Sequence, residues 1–164
     1  MGLVHFQYPK ATDLPLEAKT NEKVSFTVYV VNDDMPSVPG IVPVCDRCKL
    51  VIEFYFDKQG TQIWDTVNFF FDACCLYWSG EVTKVVGYFI MPPRDVFVKF
   101  KLYQKVDDKW VLREATAMLT VDNPDYPSIW DFWKVKIAGM ELWKWTVIWM
   151  AFVLGIVIAI EVTA

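Results

Sequence analysis

Lys23-Val-Ser-Phe-Thr-Val-Tyr-Val-Val31 alternates apolar and polar side chains from Lys23 to Val30. Successive side chains on a strand point to opposite faces, so this stretch reads as a half-buried β-strand with Val24, Phe26, Val28 and Val30 on the inner face. Lys49-Leu-Val-Ile-Glu-Phe-Tyr-Phe-Asp57 repeats the pattern with Leu50, Ile52, Phe54 and Phe56. Asp95-Val-Phe-Val-Lys-Phe-Lys-Leu102 repeats it again with Val96, Val98, Phe100 and Leu102 against Lys99 and Lys101.

Outward from these three runs, strands are expected at 4–8, 62–72, 82–90 and 109–121. Asp57-Lys58-Gln59-Gly60, Ser79-Gly80, Pro92-Pro93 and Asp107-Asp108 supply turn chemistry between them. In the last run the alternation changes phase at Arg113-Glu114, which predicts a β-bulge. Seven short strands at roughly ten-residue spacing, with no helical pattern between them, predict a mostly β fold. The expected form is a seven-stranded antiparallel sandwich over residues 1–121, long enough for one two-sheet core. In strand order and pattern, residues 20–121 resemble an immunoglobulin-like domain. They are most similar to the CARDB-like modules of archaeal surface and viral proteins. That resemblance implies a binding or structural unit without catalytic residues.

The chain has 164 residues, 54% hydrophobic, but the apolar excess is concentrated at one end. Five of the eight tryptophans fall between Trp130 and Trp149. Residues 145–160 contain no charged side chain and Thr146 as their one polar residue. With Leu142, Trp143 and Val162 the stretch reaches about 20 residues, which as a helix spans ~30 Å, one hydrocarbon core. A helix packed on a soluble domain keeps a polar face, and this one has almost none. Residues 140–164 are therefore expected to be a single-pass transmembrane anchor. Trp143, Lys144, Trp145 and Trp149, with Trp130 and Trp133 before them, are expected at the membrane interface. Ala151, Gly155 and Ala159, at spacing four, mark a helix-packing face.

Asp122-Asn123-Pro124-Asp125-Tyr126-Pro127 and Ser128 read as a proline-containing linker over 122–128. Residues 129–139 read as an amphipathic juxtamembrane helix, with Ser128 and Asp131 in capping-box spacing. Lys134, Lys136 and Lys144 precede the apolar span and no Lys or Arg follows it, which places the domain on the cytoplasmic or particle-interior side. Residues 1–20 lack an apolar signal core, and Phe6 stands where N-myristoylation requires Ser or Thr, so neither export signal nor acyl anchor is expected.

Net charge is −4 with the basic residues scattered, which argues against a nucleic-acid partner. Four cysteines lie at Cys45, Cys48, Cys74 and Cys75. A four-cysteine zinc site is disfavoured, because adjacent cysteines on a strand face opposite ways. A disulfide from Cys45 or Cys48 to Cys74 or Cys75 is the preferred alternative, with free buried thiols the other. The single histidine, His5, is expected on the first strand, and Asn32-Asp33-Asp34 in a turn, with no Ser- or Cys-centred catalytic motif, no phosphate loop and no cofactor site in view. The apolar segment from Met35 to Val44, with Pro36, Val38, Pro39, Ile41 and Pro43, is either a contact loop or a lid over the open end of the sandwich.

These features point to a membrane-anchored structural or assembly protein, a virion component between a lipid bilayer and other structural proteins, oligomeric or within a larger assembly. A cell-surface adhesion module and a membrane-bound cysteine-rich metal or redox protein are the alternatives.

Overall fold

The computed structural model describes residues 3–126, 136–137 and 140–150. The chain divides into two compact units, residues 1–125 and 126–164. Among the described residues the first contains nine strands: β1 (Val4–Phe6), β2 (Thr12–Asp13), β3 (Lys23–Asn32), β4 (Val44–Tyr55), β5 (Ile63–Cys75), β6 (Glu81–Ile90), β7 (Val96–Val106), β8 (Lys109–Ala115) and β9 (Leu119–Val121).

They form two antiparallel sheets. In one, β3 pairs with β6 along its whole length on one edge and with β1 and β2 in succession on the other. In the second, the order is β5-β4-β7, with β8 and β9 sharing the far edge of β7. The nine strands thus fill seven ladder positions, because the first and last positions are each interrupted. Tyr8-Pro9, joined by a cis peptide bond, separates β1 from β2. Thr116 lies between β8 and β9, and stays tied to the ladder through its N–H on the Phe100 carbonyl (2.9 Å) and the Phe100 N–H on its hydroxyl (3.1 Å). Arg113 is skipped in the pairing of Leu102 with Glu114 and Tyr103 with Leu112, so the bulge falls where the alternation changes phase.

The inner faces meet in one core. Val24, Phe26, Val28 and Val30 of β3 face Leu50, Ile52 and Phe54 of β4 and Val96, Val98, Phe100 and Leu102 of β7, and all eleven are essentially fully buried. Phe56 departs from the expected pattern. β4 ends at Tyr55 after an irregularity in its pairing with β5, so Phe56 enters the turn, half-buried between the Trp64 ring (5.5 Å, stacked) and the Arg94 guanidinium (4.3 Å). At the centre, Phe26 sits edge-on to Phe69 and Phe100. Gly87, opposite Phe26 on β6, leaves room for this. A Cβ there would lie 2.3 Å from the Phe26 ring and 2.9 Å from the Phe69 ring.

The expected linker at 122–128 belongs partly to the domain. Glu17 and Asp122 form a parallel bridge, with the Ala18 N–H on the Asp122 carbonyl and the Asp122 N–H on the Leu16 carbonyl. Asn123 is 4% exposed and donates to the Thr20 hydroxyl and the Pro92 carbonyl.

In the second unit, β10 (Lys136–Ile137) pairs antiparallel with β11 (Met140–Glu141). A helix through 129–139 was the expectation, and strand pairing replaces it at 136–137, where the β-branched Ile137 suits an extended chain. Residues 129–135 and 138–139 lie outside the described residues. A helix occupies 142–150, its first turn joined by the Trp143 indole N–H on Glu141 (2.5 Å). Among the described residues no helix is long and apolar enough to cross a membrane; the remainder of the expected anchor, 151–164, lies outside them.

Gly87→Val is expected to force the Phe26 and Phe69 rings off their positions and to destabilise the domain by about 1–3 kcal/mol, the usual cost of overpacking a filled core. Urea denaturation of the two proteins side by side measures the difference.

Candidate functional site

The strands run between two poles. At one lie the 33–43 loop, the 76–80 turn and the 107–108 hairpin turn; at the other lie residues 91–95 and the exit segment 122–125. The first pole carries an apolar surface assembled from two sequence-distant segments. Met35, Val38, Ile41 and Val42 of the loop are exposed, Ile41 by 74%, and beside them stand Tyr77 and Trp78, the latter 61% exposed. The segments are in contact: the Gly40 N–H donates to the Leu76 carbonyl (2.6 Å), and a Cβ at Gly40 would lie 3.1 Å from the Tyr77 ring. The proline-rich loop carries most of its apolar side chains on the surface. Pro36 alone is buried, while Pro39 and Pro43 are exposed with the apolar side chains between them.

Several bonds hold this tip rigid. The Glu81 carboxylate accepts from the N–H groups of Leu76 (2.9 Å), Tyr77 (2.6 Å) and Trp78 (3.2 Å). Those donors hold its carboxyl below the ordinary glutamate value. The Asn32 carbonyl takes the Gly80 N–H (2.8 Å), and its wholly buried side chain donates to the Ala73 carbonyl (2.7 Å) and to Asp46 (3.0 Å). Its side-chain oxygen receives the Asp34 N–H (2.8 Å), which closes the expected Asx turn. The charged residues from Asp33 through Asp46, and in the 76–81 turn, are Asp33, Asp34, Asp46 and Glu81, all acidic.

Cys45 of β4 and Cys74 of β5 are direct cross-strand partners with Cα atoms 4.0 Å apart, and their sulfurs are bonded as a disulfide. Cys48 and Cys75 are free and buried. The four sulfurs divide between the faces of the sheet, two on the outer surface and two in the interior, as the alternation of neighbours on a strand requires. Burial pushes the Cys48 thiol up to about 12, with Asp46 adding to the effect, and raises the Cys75 thiol as well.

His5 lies on β1, its ring bonded to the Phe6 carbonyl (2.6 Å) and to Asp33 (3.2 Å). Asp107 and Asp108 both take positive φ in a two-residue hairpin turn, and Asp108 pairs with Lys105 (2.7 Å). A cleft of about 360 Å³ opens between the β1–β2 connection and β8, lined by Tyr8, Lys10 and Glu114 among others. Its carboxylate is engaged, accepting the Phe6 N–H (2.7 Å) and the Tyr8 hydroxyl. In the second unit, Trp143, Lys144, Trp145 and Trp149 share the helix at 142–150, with Leu142, Trp145, Thr146 and Trp149 along one side of it. Trp130, Trp133, Ala151, Gly155 and Ala159 lie outside the described residues.

No protein-family model matches the chain, and comparison with curated proteins gives no match either.

Two outcomes follow from this geometry. Replacing Cys45 and Cys74 by Ser together removes the constraint on a 29-residue separation and should cost about 3–4 kcal/mol of stability, read by chemical denaturation. In the native protein at pH 8, neither Cys48 nor Cys75 should react with a maleimide, whereas two thiols per chain should label once it is unfolded without reductant. Glu81 tests the tip. Its folded-state value lies below the unfolded one, so its contribution is present above the ordinary glutamate value of 4.5 and is lost as pH falls through the depressed one. Glu81→Gln should speed amide exchange at 76–78 at neutral pH, and the difference from wild type should vanish on acidification.

Proposed function

We propose that this chain is a membrane-anchored structural protein of an assembly, a particle component that joins a lipid bilayer to a protein shell. The observation that carries this reading is the placement of the apolar tip. Ile41, Val42, Tyr77 and Trp78 are exposed at one pole, and the chain leaves the domain at the other, followed in sequence by the uncharged 145–160 stretch. An exposed apolar tip on a β module suits contact with another protein. The acidic residues around the tip disfavour insertion into an anionic headgroup layer and suit a protein surface.

In this reading residues 140–164 form the single-pass anchor, the tryptophans of 143–149 sit at the interface, and the domain faces the cytoplasm or particle interior. The domain is an immunoglobulin-like sandwich. Compared with the arrangement that has four strands in one sheet and three in the other, its fourth ladder position has crossed to the second sheet. The likeness to CARDB-like modules, which are binding and structural units, points the same way. The disulfide suits a particle whose cysteines oxidise after assembly.

The disulfide also favours a second reading, an adhesion module displayed outside a cell, since oxidising surroundings are the usual setting for such a bond. Protease treatment of intact particles or cells separates the two. The first expects the domain to survive until the shell or membrane is opened; cleavage on the intact surface would hand the case to adhesion. Carbonate washing should leave the full chain with the membrane, and its release would sink both. Ile41→Asp with Trp78→Asp should abolish incorporation into particles while leaving membrane retention unchanged.

A further inference from the structure

The edges of the two sheets are protected unequally. β5 carries two charges of one sign, Asp65 and Asp72, whereas the two on β6, Glu81 and Lys84, are of opposite sign. β6 has ten residues and no proline, and among the described residues pairs with β3 alone. Its outer face presents Val82, Lys84, Val86, Tyr88 and Ile90, all exposed, with Val86 at 66% and Tyr88 at 60%. An edge of this length and apolarity is a template for another strand.

We propose that β6 is a dimerisation edge and that its partner is the β6 of a second copy, antiparallel, with the twofold axis at Val86. The sequence of the strand selects both the partner and the register. Side chains directly opposite on antiparallel strands share a face, so a self-pairing must be centred on a residue for its outer faces to match. Centred on Val86, it sets Val86 against the second copy's Val86, Val82 against its Ile90, and Lys84 against its Tyr88. Apolar meets apolar at three of the five outer positions, and an ammonium meets an aromatic ring at the other two. Inside, Val85 comes opposite Gly87, the position without a side chain.

The neighbouring registers are less favourable: centring on Val85 sets Lys84 opposite Val86, and centring on Gly87 sets Lys84 opposite Ile90 and Val82 opposite Pro92. Centring on Lys84 puts two lysines face to face, which is destabilising. Centring on Tyr88 sets Lys84 opposite Pro92, which has no N–H to give the ladder. The chosen register joins the β1/β2–β3–β6 sheets of two copies into one continuous sheet. It does not depend on the membrane reading, because each feature lies within β6 and the strand it pairs with.

The test uses the full chain in detergent micelles, with mass measured by light scattering. Wild type should be a dimer. Val86→Lys, which places like charges on the axis, should weaken the dimer roughly tenfold or more while circular dichroism stays unchanged. Val86→Cys should cross-link efficiently with a short bismaleimide. Lys84→Cys and Tyr88→Cys should each link poorly alone and well when mixed with each other. A monomeric wild type, a Val86→Lys protein as dimeric as wild type, or cross-linking no stronger at 86 than at 84 would each overturn the proposal. Gly155→Leu controls for association through the tail: a dimer that dissolves in this variant but persists in Val86→Lys also overturns it.

Discussion

Asn32 is a polar side chain with no exposure to water, and an unpaired amide in that position would cost a few kcal/mol. Its environment is arranged to prevent this. The amide donates to a β5 carbonyl and a β4 carboxylate, its oxygen receives the Asp34 N–H, and its backbone carbonyl receives the Gly80 N–H and the Cys75 thiol. One residue at the end of β3 thereby fixes the start of β4, the end of β5 and the turn into β6. Those segments belong to different sheets, and hydrophobic contact alone would leave their ends free to slide. The apolar tip is placed by polar chemistry that lies behind it.

Asn123 does the corresponding work at the opposite pole. It joins the Thr20 hydroxyl, the Pro92 carbonyl and the Asp95 carboxylate, and its own oxygen takes the Asp125 N–H. Between the two asparagines lies an apolar core in which Gly87 leaves the space that the Phe26 ring fills. The core supplies most of the driving force for folding, and the asparagines at its two ends decide where the loops begin. The disulfide acts between neighbouring strands of one sheet, so it reinforces a pairing that the core already selects.

Much of this was readable from the sequence. Period-two alternation gave the inner faces of β3, β4 and β7, because burial on one side of a strand imposes that pattern. The phase change at Arg113 showed the bulge for the same reason. The interruptions that divide β1 from β2 and β8 from β9 left no such mark, being settled by tertiary pairing over two or three residues. Asn32 and Asn123 were hidden in stretches that read as turn and linker, since an asparagine's composition says nothing of its burial. The cysteine pairing was open until the register placed Cys45 opposite Cys74. The contact between Gly40 and Tyr77 that completes the tip joins segments some 37 residues apart, a separation no local pattern reports. At 136–137 local helical signals lost to strand pairing with 140–141.

The pole-to-pole course of the strands also sets how the domain bears load. A pull between the tip and Asp125 runs along the strands, so the hydrogen bonds of a ladder are strained together in shear and are not peeled open one after another. β9 is the last strand before the exit, held to β7 over only three residue pairs, from Val96 with Val121 to Val98 with Leu119. Together with the Asp122 and Asn123 contacts that take the load before it, it is the short link between Asp125 and the longer strands. The longer ladders of β4 with β5 and β7 stand behind it, the first of them also joined by the Cys45–Cys74 bond.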